Sequence, residues 1–94
     1  MDRVESIRER LNNALSPEQV EIIDDSHKHV GHAGAAAGGG HFSVRIVSEQ
    51  FRDHSLIERH RMVYDAVSDM MPGEIHALSI QALTADEQPS DTGN

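Results

Sequence analysis

The chain has no cysteine and no tryptophan, and only one tyrosine, two phenylalanines and three prolines in 94 residues. Without cysteine there is no disulfide, no thiol nucleophile and no thiolate to hold iron–sulfur centres. With Phe42, Phe51 and Tyr64 as the whole aromatic complement, the core has to be built from Val, Ile, Leu and Met. No apolar run approaches the roughly 18 residues that a membrane-spanning helix requires. The start, Met1-Asp2-Arg3-Val4-Glu5, is charged where a secretory signal would be apolar. A cytoplasmic protein with no membrane partner is expected. Catalytic motifs are lacking as well: there is no HExxH, no Walker-type loop and no nucleophile–base pair in a recognisable context, so no enzyme is expected. Positive charge is scarce, with 8 Lys and Arg against 16 Asp and Glu and a net charge of −8. That balance argues against a broad nucleic-acid surface. It is uneven, however. No Lys or Arg follows Arg61, while Arg52, Arg59 and Arg61 lie close together.

What the chain does have is histidine, seven in all. Three are packed into Asp25-Ser26-His27-Lys28-His29-Val30-Gly31-His32, and His76 stands alone in Ile75-His76-Ala77-Leu78-Ser79-Ile80. Neutral imidazole is the commonest metal ligand, so these residues point either to a hard or borderline ion or to a cluster whose sulfur comes from a partner. Taken alone, a histidine-rich loop is more often solvated than ligating, and a lone strand histidine more often bonds a backbone carbonyl. A Zn or other divalent site in the loop by itself is a further reading. His41 opens a strand and has little claim to ligation. His60 falls on an apolar helix face and reads as a satisfied packing residue; His54 reads as exposed.

Ninety-four residues make one domain. Asp2-x-x-Glu5 resembles a capping box, and Val4, Ile7, Leu11, Ala14 and Leu15 keep helical spacing to the stop at Ser16-Pro17. A helix is predicted over Arg3 to Leu15, then a short strand around Val20-Glu21-Ile22-Ile23. Asp25 to Gly40 reads as a loop, its second half made of Ala and Gly alone. Phe42, Val44 and Ile46 alternate inward along a second strand. Ser55-Leu56-Ile57-Glu58 is a capping box, and the helix after it presents Leu56, His60, Val63, Val67, Met70 and Met71 on one face before Pro72-Gly73 ends it. A third strand covers Ile75 to Leu83, with His76, Leu78 and Ile80 on one side and Ile75, Ala77, Ser79 and Gln81 on the other. Residues 1–84 form the domain, and 85–94, polar and acidic, read as a disordered tail. The order predicts an α/β domain, a three-stranded sheet with helices on one face.

Several motifs in this order resemble a known family. They are Asp25-Ser26-His27-x-His29, His41-Phe42-x-Val44 with Val47-Ser48-x-x-Phe51, Arg59-His60-Arg61-x-Val63-Tyr64, and Ile75-His76-Ala77-Leu78-Ser79-Ile80-Gln81-Ala82. Together, from about Val4 to Thr84, they look like a BolA-like protein. The resemblance implies a class II KH-like α-β-β-α-β domain with an extra helical turn near the second helix. It implies a monothiol glutaredoxin as partner, with a [2Fe-2S] cluster bridged between the two proteins. The glutaredoxin and glutathione bring the thiolates and this chain brings histidine; no cofactor is expected in the isolated protein, a monomer or weak dimer. By motif His76 is the first ligand, and the second comes from the long loop, where His29 aligns best and His32 competes. His27 stays structural or in reserve. The family also has members described as DNA-binding regulators of cell shape and stress responses. For that reading Arg59 and Arg61, flanking His60 and so pointing away from the core, are the candidate contacts to duplex DNA or to a partner's acids. The GXXG clamp of nucleic-acid-binding KH domains is not matched by Gly34-Ala35-Ala36-Ala37-Gly38. Two departures from the family pattern fall at loop ends: Gly40 where Thr is common, and Arg52-Asp53-His54 where a Gly is common.

Overall fold

A computed structural model describes residues 2–25, 40–71 and 73–88. The expected order is present: α1 (Arg3–Leu15), β1 (Gln19–Asp24), β2 (Gly40–Val47), α2 (Leu56–Ala66) and β3 (Ile75–Leu83). Short 3₁₀ turns at Glu49–Phe51, Ser68–Met70 and Ala85–Glu87 join and close them. The sheet order is β1-β2-β3. β1 runs antiparallel to β2, and β3 runs parallel to it, reached through α2.

Local chemistry sets the ends of the helices. The Asp2 carboxylate accepts the Glu5 N–H at 2.8 Å and opens α1. Ser16 closes it in the left-handed region, φ 44°, with its N–H on the Asn12 carbonyl. Ser55 and Glu58 cap α2 reciprocally, at 3.1 and 2.8 Å.

One face of the sheet is covered. Ile7, Leu11 and Leu15 of α1 and Val63 of α2 meet Phe42, Val44 and Ile46 of β2 and Leu78 and Ala82 of β3. Phe51 and Met70 enter from the 3₁₀ turns. Ser48, fully buried, donates to the Leu15 carbonyl at 2.6 Å and accepts the Gln50 N–H, so a buried hydroxyl ties α1 to the β2 exit. The opposite face carries Glu21, Ser43, Arg45, Ser79 and Gln81 and lines a shallow cavity of about 290 Å³ with Ile23.

Three local expectations are corrected. Leu56 is 66% exposed, because it sits in the first turn of α2, before the helix reaches the core. α2 ends at Ala66 instead of running to Pro72-Gly73, and Met70 reaches the core through the Ser68–Met70 turn. Most informative is β3. Simple alternation puts Ile75 opposite Leu78, yet both are buried. The register explains it: Gly40 pairs with Ile75 and His41 with Ala77, leaving His76 as the extra residue of a bulge. A bulge resets the alternation and re-aims one side chain. Here the re-aimed side chain is His76, which is exposed.

Candidate metal centre

The bulge brings His76 to His41. Their ring centroids lie 5.3 Å apart with the planes inclined by 43°. His41 is half-buried and belongs, with Ser43 and Arg45, to the sheet face that the helices leave uncovered. The Asp25 N–H donates to the His41 carbonyl at 2.7 Å, and the Asp25 carboxylate accepts the Ser43 hydroxyl at 2.6 Å. The Gly40 N–H donates to the Glu74 carbonyl at 3.0 Å. The last residue described before the 26–39 segment, Asp25, and the first after it, Gly40, are therefore both fixed at the corner that His76 occupies.

Two candidate ligands, His29 and His32, and the reserve His27, lie outside the described residues. Among the described residues no group of three or more His, Asp or Glu side chains is placed to hold a metal ion. The donor set at this corner is thus imidazole, two rings deep, and needs outside donors to complete any centre. That fits a shared cluster in donor chemistry. His41, given little weight from sequence, is the residue the fold puts beside His76. The signal that would have found it is the pairing of a strand that begins at His41 with one that begins at Ile75, which needs the β2–β3 register.

The other histidines fall away from the corner. His54 Nδ1 lies 3.4 Å from Glu58 on the exposed start of α2. His60 is half-buried, and its Nε2 is enclosed without a hydrogen-bond partner. The expectation of a fully satisfied packing histidine is corrected to that extent. A tautomer with the proton on Nδ1 leaves only a lone pair enclosed, which costs less than a buried N–H.

The arginine pair splits. Arg61 is exposed on α2. Arg59, expected to point away from the core, is folded against the molecule: its side chain is 12% exposed. It donates to the His54 carbonyl at 3.0 Å, to the Ala82 carbonyl at 3.2 Å, and to both Glu87 oxygens at 2.5 and 3.0 Å. Arg52 bridges Glu49 and Asp86 at 2.8 and 2.9 Å, and Arg45 reaches Gln88 at 3.1 Å. Residues 85–88, at the start of the expected tail, fold back as a turn held by three arginines, while 89–94 lie outside the described residues. Charge follows geometry. The Arg59 guanidinium and the Thr84 N–H hold the Glu87 carboxyl down to about 2, and the Thr84 hydroxyl with Arg52 does the same for Asp86.

No helix among the described residues is long and apolar enough to cross a membrane.

Comparison with known proteins agrees with the architecture. The model of the family described as BolA-like protein matches residues 11–87. SufE-like protein 1 of Arabidopsis thaliana, chloroplastic/mitochondrial, is 43% identical over 86 residues, 86% of this chain and 23% of that protein. The solved BolA domain of that SufE1 superposes with a TM-score of 0.82 at 42% identity, covering 94% of this chain and 98% of that one. BolA-like protein 1 of Mus musculus is 44% identical over 79 residues, 84% of this chain and 56% of the relative. The DNA-binding transcriptional regulator BolA of Escherichia coli K12 is 34% identical over 83 residues, 88% of this chain and 76% of that protein. The chain therefore spans about a quarter to just over half the length of the first two relatives.

Proposed function

The chain belongs to the BolA-like family, and from that premise we propose that it is a non-catalytic adaptor in iron–sulfur cluster assembly or trafficking. In this reading it docks a monothiol glutaredoxin and shares a [2Fe-2S] cluster with it, His76 giving one ligand and His29 or His32 the second. One observation carries the reading: His76 is turned to solvent by a bulge, at the corner where the histidine-bearing segment leaves β1 and rejoins β2. The missing thiolates are to come from the glutaredoxin and glutathione. A cluster with imidazole in place of thiolate has a raised reduction potential, and each imidazole must be neutral to bind, so the complex weakens as pH falls.

Mixing the protein with glutathione-loaded holo-glutaredoxin is expected to change the visible circular dichroism of the cluster. The His76→Ala variant, altered at an exposed position, is expected to fold normally and to lose that change. An unaltered spectrum on mixing, or the same change in the variant, sinks the ligand assignment.

A second reading is a DNA-binding transcriptional regulator, favoured by the E. coli relative of that name and by Arg61, exposed on α2. Arg59 is engaged by Glu87, and the net charge is −8, so few phosphate contacts remain available. Each contact contributes roughly −0.9 to the slope of log K against log salt. The expected slope for duplex DNA is shallow, and it loses about one unit in Arg61→Ala; no binding at low salt removes this reading.

A further inference from the structure

Two imidazoles on adjoining strands lie side by side. The His41–His76 centroid distance is 5.3 Å and the rings are inclined by 43°. Metal–nitrogen bonds of about 2.0–2.1 Å at a tetrahedral ion place the centres of two bound imidazole rings roughly 5 Å apart. Simple ring packing tolerates the same separation. What sets this pair apart is its setting. His76 is exposed, and His41 sits on the sheet face the helices do not cover. The strand pairing brings the two residues together, since His41 is paired with Ala77, the residue after His76. The face carries a carboxylate, Asp25 on the Ser43 hydroxyl, beside Arg45, and the whole chain carries −8. A cation is attracted to a chain of that charge.

We propose that His41 and His76 form a two-imidazole site for a single borderline divalent transition-metal ion, of the Zn(II), Co(II) or Ni(II) class, in the isolated chain. One nitrogen from each ring binds, and water completes the coordination. The site needs neither partner nor thiolate. It shares His76 with the shared-cluster reading but differs in the second imidazole, the metal and the need for a partner, so the failure of either leaves the other in place.

The test uses the full chain carrying His27→Gln, His29→Gln and His32→Gln, which removes the metal-binding capacity of that segment. This variant is titrated with Co(II) alone, followed by visible absorption, and with Zn(II) alone, followed by the imidazole proton resonances. One equivalent is expected to bind, moving the His41 and His76 signals and leaving those of His54 and His60 in place. Adding His41→Gln or His76→Gln is each expected to weaken binding about tenfold or more, and the double change little further, because one imidazole does not chelate. Adding His41→Cys restores a donor and is expected to recover Co(II) binding with a thiolate-to-metal absorption band. Amide spectra verify that each variant is folded. A folded segment variant that binds no ion, or binding indifferent to His41→Gln and His76→Gln, overturns the proposal.

Discussion

Replacing Phe51 with alanine is expected to lower the melting temperature by roughly 15–30 °C. Phe51 is 0% exposed, one of only two phenylalanines, and it is delivered to the core by the Glu49–Phe51 turn between β2 and α2. Truncating a buried Phe costs about 3–5 kcal/mol, the lost transfer energy plus the cavity left behind. A domain of this size has about 5–15 kcal/mol in total, so the variant is on the edge of unfolding at working temperature. Apart from Phe42 the core is aliphatic, with Ile7, Leu11, Ile46, Val63 and Ile75 all fully buried. Phe51→Leu, which keeps most of the volume, is expected to lose much less. Calorimetry on the three proteins decides; equal midpoints for wild type and Phe51→Ala would mean that this side chain does not support the core.

Arg59→Ala is expected to cost about 1–3 kcal/mol, through the charged hydrogen bonds lost to the Ala82 and His54 carbonyls, with a melting temperature lowered by roughly 5–15 °C. Its pH signature separates the Glu87 contact from packing. Glu87 is held at about 2 in the folded chain, first by Arg59, against about 4.3 for a free glutamate. A depressed carboxylate contributes stability that is present above its unfolded value and is lost as pH falls through the folded one. The wild-type advantage over Arg59→Ala should therefore be full above about pH 5 and shrink steadily towards pH 2. Part of the depression comes from the Thr84 N–H, which the variant keeps, so some acid sensitivity persists. Urea midpoints at a series of pH values measure this. A gap between the two proteins that stays constant across that range refutes the Glu87 share.

Much of this fold is local, and what is local was legible. The Asp2 and Ser55 caps, the helical spacing of Ile7 and Leu11, and the alternation of Phe42, Val44 and Ile46 each act within a few residues. Features set by pairing between distant segments were not legible. The bulge at His76 exists only because β3 meets β2 in a particular register, and it is what places Ile75 and Leu78 in the same core and His41 beside His76. Arg59 and Glu87 are both plain charges until β3 and the closing turn bring them together. A clue to that turn was nevertheless present, since Thr84-Ala85-Asp86-Glu87 has the Thr-x-x-Glu form of a helix start. Its polar, acidic composition, which favours a disordered tail, masks that signal. His29 and His32 gained nothing from the structure, since they lie outside the described residues.

The β2–β3 ladder has a consequence for how the molecule is made. β1 and β2 are neighbours in the chain and pair as antiparallel strands, whereas β3 must wait for α2 before it can lie parallel to β2. Parallel, non-local pairing is the slow part of such a sheet. During synthesis His41 emerges well before His76, and the two imidazoles face each other only after the last strand has docked. A nascent or truncated chain ending before Ile75 carries most of the histidines but not their meeting point. The corner at the bulge thus exists only once β3 has been made and has docked beside β2, so its two imidazoles report on the last step of the sheet's assembly.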